Sequence, residues 1–287
     1  MRSATRQAGF TLIELVVTLA VAAVVVSFVS LFISGSVKGF TDLTRRARLV
    51  DSADSALQRI GRDVRRALPN SVRTSTAGGV AALEILSTVD GARYRAQPPG
   101  TAAQILDFAA ADASFNVLGP FTQVTKPFSS TSHYLAIYNV GVPGADAYEL
   151  GNVITPAGTQ IGIAADGATG EDRVTLSPAF KFAYGSPTQR VFLLDGPVSY
   201  LCDAVAGTLV RYQGYSIASS QTSRDTDGEL VGAGGTASLM ANQVVGCNFT
   251  YTPGTAERGG LLVLKITVGA QGESISLLSQ VHVDNVP

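Results

Sequence analysis

The sequence predicts an α+β protein in which one long N-terminal helix, membrane-spanning in its first half, packs on a β-rich, mostly antiparallel globular domain. Three observations lead there. Residues 10–33 are nearly all apolar, the stretch that follows keeps apolar residues three or four apart as far as Leu68, and the chain beyond Pro69 breaks into short apolar runs separated by Gly, Pro, Asn and Asp.

The apolar run is interrupted by Thr11, Glu14, Thr18, Ser27 and Ser30. As a helix it would be roughly 36 Å long, enough for a hydrocarbon core of about 30 Å. A secretory signal would have a shorter apolar core and a small-residue cleavage site after it; here the small residue, Gly9, comes first. Residues 1–9 carry Arg2 and Arg6 and no acid, so the positive-inside bias predicts a cytoplasmic amino end and a periplasmic domain after about residue 34. No Pro occurs before Pro69, and the series Phe40, Leu43, Ala47, Val50, Ala53, Leu57, Ile60, Val64 and Leu68 forms one apolar stripe, so the helix is predicted to run on from about 12 to 67. The predicted organisation is a leader at 1–9, a transmembrane helix at 10–34, the extracytoplasmic half of the helix at 35–68 and a β-rich domain at 69–287.

Thirty Gly and twelve Pro among 287 residues favour strands and turns over a helical bundle, and 46% hydrophobic content supplies a packed core. The strand candidates are 81–86, 133–139, 173–176, 190–194, 198–202, 208–212, 243–251, 261–268 and 274–283. The clearest alternates Leu262, Leu264, Ile266 and Val268 with Val263, Lys265 and Thr267, and Gly269-Ala270-Gln271-Gly272 after it reads as a hairpin turn. The Gly/Ser/Thr-rich stretches 96–132 and 216–237 read as loops or as insertions without an assigned structure. Cys202 and Cys247 both follow strand-like runs; outside the cytoplasm they are predicted to form one disulfide, the other reading being two buried thiols.

Gly9-Phe10-Thr11-Leu12-Ile13-Glu14-Leu15 resembles the cleavage and methylation motif of type IV pilins and of the pseudopilins of type II secretion systems. The resemblance implies a pilin-like fold, cleavage after Gly9 by a prepilin peptidase and N-methylation of Phe10. It further implies an assembly role for Glu14, with other pilin subunits and an inner-membrane assembly platform as partners. A carboxylate within an apolar helix costs about 2.5 kcal/mol or more and calls for a cation. Phe10 and Glu14 stand one turn apart, so the freed amino group and the carboxylate share a face and could each meet its opposite on a neighbour. The other reading is a carboxylate that snorkels to water. Residues 56–73 are similar to the end of the long helix in J-type minor pseudopilins and more so to minor pilins of mannose-sensitive haemagglutinin pili; 198–203 and 280–287 point the same way. Leu31 stands where many major pilins have Pro, which fits a minor subunit. The implied life history is storage in the inner membrane, then passage into a pilus at the cell surface.

Rival chemistries have thinner support. Residues 38–73 hold nine Lys or Arg against four acids, and the Arg59 to Arg73 cluster could be a nucleic-acid stripe, but no aromatic residue lies between Phe40 and Tyr94, so a solvated or intersubunit helix face is the preferred reading. Asp225, Asp227 and Glu229 around Gly228 could suit Ca²⁺, without EF-hand spacing, against a plain acidic turn; Asp166, Glu171 and Asp172 make a weaker case. No other cofactor is predicted. His133 and His282 accompany no nucleophile, phosphate-loop or zinc-protease motif, so no enzyme is predicted. A membrane-anchored binding domain is the remaining class, and it would need neither a cleavable Gly9 nor Glu14.

Overall fold

In a computed structural model of the chain the described residues are 9–167, 170–254 and 258–287, with the side chains of 35 and 36 set aside; the leader residues 1–8, Arg2 and Arg6 among them, lie outside. Helix α1 is Leu12–Arg65, close to the predicted 12–67. Packing divides the chain into two compact units, Met1–Leu49 and Val50–Pro287.

In the first unit every large apolar residue between Phe10 and Ile33 is exposed, from 50% at Val29 to 82% at Leu12, and so are Phe40 and Leu43. Within this part of α1 several hydroxyls return to their own helix: Thr18 Oγ1 donates to the Leu15 carbonyl at 2.9 Å and Ser27 Oγ to that of Ala23 at 2.8 Å. That arrangement suits an apolar solvent, because it leaves those donors satisfied without water. Of the helices described, α1 alone is long and apolar enough to cross a membrane.

Among its described residues the second unit contains the end of α1, thirteen strands and a short α-helix, α2 (Asp227–Gly232). The strands are β1 (Arg73–Ala77), β2 (Val80–Tyr94), β3 (Asp112–Leu118), β4 (Phe128–Ser130), β5 (Tyr134–Ala136), β6 (Gln160–Asp166), β7 (Glu171–Phe180), β8 (Arg190–Asp203), β9 (Thr208–Gln213), β10 (Thr236–Asn242), β11 (Val244–Thr252), β12 (Gly260–Ala270) and β13 (Glu273–Val283). Among the described residues they form a ten-stranded sheet in the order β10-β9-β8-β2-β3-β7-β6-β4, with β1 on β2 and β5 on β8, and a three-stranded sheet β11-β12-β13. All these pairings are antiparallel, so the predicted α+β class holds.

The end of α1 is fixed by its stripe. Ala53, Leu57, Ile60 and Val64 are buried, and Gly61 comes so close to β13 that a Cβ there would sit 3.5 Å from Val281 Cγ2. Pro69 stops the helix, and the Leu68 amide donates to the Leu86 carbonyl at 2.8 Å, which turns the chain onto β2. Asp63 accepts from Tyr200 Oη and, at 3.0 Å, from Arg211 Nε, so the helix also carries a polar tie to β8 and β9. One apolar core gathers Tyr94, Phe115, Phe121, Phe182 and Leu193. Cys202 of β8 and Cys247 of β11 form a disulfide with Cα atoms 6.2 Å apart, joining the two sheets.

Three sequence readings need correction. The runs 190–194 and 198–202 are one strand, because Gly196 at φ 114° lets β8 bulge opposite Ser87 and Thr88 and continue through Pro197. The stretch 96–132 contains β3 and β4, and 216–237 contains α2 and the start of β10, so neither is loop throughout. Of the 133–139 candidate, β5 keeps only Tyr134–Ala136.

Candidate functional site

The amino-terminal turn of α1 is built by local sequence. Thr11 precedes the first helical residue, and its Oγ1 accepts the Glu14 amide at 3.3 Å while its carbonyl accepts the Leu15 amide at 3.2 Å. Thr11 is therefore an N-cap, and Thr11-x-x-Glu14 has the order of a capping box, with Glu14 at the third helical position. A carboxylate there also faces the positive end of the helix dipole. Gly9 has open space around it, since a Cβ would meet nothing within 4 Å, and Phe10 is 79% exposed. Among the described residues no base of the chain forms an ion pair with Glu14, whereas the acid farther down, Asp42, is paired with Arg45 at 3.0 Å. The site thus consists of an accessible Gly-Phe bond, a capped helix start and a carboxylate whose cation, if it has one in the assembled state, comes from elsewhere than a described side chain of the same chain. Thr11 is the member that sequence reasoning missed, although the T-x-x-E order was there to read.

The other candidate residues occupy structural posts. Thr226 and Glu229 make the complete capping box of α2, Glu229 Oε2 accepting the Asp225 and Thr226 amides at 3.2 Å each. Asp225 accepts from Ser75 Oγ at 3.3 Å and Asp227 accepts from Tyr212 Oη. The acidic run is a helix start, with its three carboxylates turned to different partners. Asp172 bonds Lys126 Nζ at 2.9 Å, Glu171 pairs with Arg95, and Asp166 accepts from Asn116 Nδ2 at 2.8 Å. No group of three His, Cys, Asp or Glu arranged to hold a metal occurs among the described residues.

The Arg59 to Arg73 cluster separates in the fold. Arg59, Arg62, Arg65 and Arg66 are exposed, but Arg73 turns inward, bonding Glu84 Oε2 through Nε at 2.7 Å with its guanidinium carbon 3.5 Å above the Tyr148 ring. Glu84 is fully buried and also accepts from Tyr215 Oη at 2.9 Å. Burial pushes its carboxyl above the usual range against the pull of Arg73, and burial together with that carboxylate pushes the Tyr215 hydroxyl up. His133 Nδ1 lies 2.7 Å from Ser130 Oγ, burial lowers its pKa, and His282 is exposed on β13, well apart in the fold's order.

Residues 4–30 match the family model of the prokaryotic N-terminal methylation motif, the signature of type IV pilins and pseudopilins. No curated protein and no solved structure matches the chain. The motif implies processing by a prepilin peptidase and assembly with other pilins. With that motif on an exposed, span-length apolar helix, the chain carries the amino-terminal signature of type IV pilins and pseudopilins.

Proposed function

We infer that the chain is a minor type IV pilin, of the mannose-sensitive haemagglutinin kind, that acts in pilus assembly and not in turnover of a substrate. It is stored in the inner membrane with its amino end cytoplasmic and its β-rich domain periplasmic. A prepilin peptidase cuts after Gly9 and Phe10 is N-methylated. Residues 10–34 then leave lipid for the helical core of the filament, through the inner-membrane assembly platform, while the domain stays outside.

The observation that carries this reading is Glu14. It lies within an apolar helix whose large residues are all at least half exposed, and no described base of the chain forms an ion pair with it. In lipid such a carboxylate costs about 2.5–3.5 kcal/mol, and a filament offers the cation that the monomer lacks, the Phe10 amino group of a neighbouring subunit. The J-type pseudopilin of a secretion system would use the same physics, and similarity over 56–73 keeps it as the second reading; which subunits co-purify separates the two.

The test is Glu14→Ala in cells that assemble the filament. The variant should insert in the membrane as well as the parent and be depleted from sheared filaments by about tenfold or more, the equivalent of some 1.4 kcal/mol. Incorporation at the parental level would remove the pairing role.

A further inference from the structure

One arrangement in the β-rich unit is hard to explain by stability alone. Arg93 of β2 and Arg190 of β8 are direct cross-strand partners, so their side chains leave the same face of the sheet side by side. Like charges directly opposite each other are unfavourable in a sheet. Among the described residues neither guanidinium forms an ion pair with a carboxylate, and Arg93 Nη2 donates to the neutral Gln189 Oε1 at 3.0 Å. The neighbouring acid, Asp90, is spent on the backbone, accepting the amides of Gly91 at 2.8 Å, Thr122 at 2.6 Å and Gln123 at 2.7 Å.

The two arginines line an open cleft of about 470 Å³ that contains no acidic residue. Its floor is apolar. Gly91 and Phe192 are cross-strand partners one step along the same face, and a Cβ on Gly91 would lie 3.4 Å from Phe192 Cδ1, so the ring covers the glycine. Leu118, opposite Arg93 on β3, and Pro120 close the side. An adjoining cleft of about 220 Å³ shares Gly91, Arg190 and Phe192 and is lined also by Arg65, Arg66, Asp90 and Asp284.

We propose that the cleft between Arg93 and Arg190 binds a small ligand that carries an oxyanion on a flat apolar body, in its simplest form an aryl phosphate. The oxyanion lies between the two guanidiniums, each giving charge-assisted hydrogen bonds that offset their mutual repulsion, and the ring lies against Phe192. The site is independent of the assembly role and would function equally in a pilus or a pseudopilus.

Titration calorimetry on the full chain in a non-ionic detergent tests it, with phenyl phosphate as probe. Binding should be saturable, and Arg93→Gln and Arg190→Gln should each weaken it at least about tenfold, the worth of one hydrogen bond to a charged group. Arg62→Gln, an exposed arginine on α1, should change nothing. Inorganic phosphate should bind more weakly by a similar factor for want of the ring, and benzyl alcohol, which lacks the anion, should not bind. Without ligand, Arg190→Gln should keep or raise the unfolding temperature. No saturable binding, undiminished binding in both Gln variants, equal affinity for inorganic phosphate, or a clear fall in the unfolding temperature of Arg190→Gln would each overturn the proposal.

Discussion

In the last turns of α1 the apolar residues Ala53, Leu57, Ile60 and Val64 are buried and the acid among them, Asp63, meets Arg211 and Tyr200. In the first turns every large apolar residue is at least half exposed, and no base of the chain is seen against Glu14 among the described residues. The carboxyl end spaces its apolar residues three or four apart among Asp and Arg, whereas the amino end is apolar nearly throughout. They differ in where the partner is: for the carboxyl end it is the chain's own sheets, and for the amino end, on the proposed function, it is lipid first and other helices later. The helix is therefore one element read by two solvents, with folding tested at one end and assembly at the other.

The largest contrast should come from truncating the buried stripe. Ile60→Ala is expected to cost about 2–5 kcal/mol of domain stability, whereas Val24→Ala, half exposed in the apolar run, should leave it unchanged. Denaturant unfolding of the detergent-extracted protein measures both, and equal effects would erase the distinction between the two ends. Next, replacing Cys202 and Cys247 together by Ala opens a loop whose ends are 45 residues apart and should cost about 2–4 kcal/mol. Parental stability in the double variant would mean that the two sheets hold together without their covalent link. Asp63→Asn, which leaves Arg211 without its carboxylate, should cost about 1–3 kcal/mol in the same assay, while Glu14→Ala should cost the domain nothing and fail only in assembly. A loss of domain stability in Glu14→Ala would blur the comparison.

The smallest effect is a pH dependence. The Arg95 guanidinium holds the Glu171 carboxyl below the usual carboxylate range. Its contribution is complete above the ordinary carboxylate pKa and is lost as pH falls through that value towards the lowered one. The stability gap between the parent and Glu171→Gln should thus be present at neutral pH and close at acid pH. A gap that widens on acidification would reverse the sign.

The sequence was most readable where partners are local or periodic. The alternation of Leu262, Leu264, Ile266 and Val268 with Val263, Lys265 and Thr267 predicts a strand, and in β12 the first four are fully buried. The hairpin after them turns on Gln271 and Gly272, both with positive φ, inside the predicted four residues. The helix and its motif are legible because lipid selects a continuous apolar run. What escaped depends on distant partners. β3, in the stretch read as loop, is fixed by Phe115 and Val117, two buried residues that draw their core from β6, β7 and β8. Arg73 looked like one more basic residue of a stripe until Glu84 and Tyr148 drew it inward. The Arg93 and Arg190 cleft was equally hidden, since only the register of β2 against β8 brings the two together.

Processing of the amino end decides whether the chain enters a filament, so the most direct measurement is intact-mass and N-terminal peptide mass spectrometry of the chain recovered from assembled filaments. It should begin at Phe10, with residues 1–9 gone and about 14 Da added at the new terminus for one methyl group. Filament-borne protein that retains Met1, or that begins anywhere else in the apolar run, would contradict it.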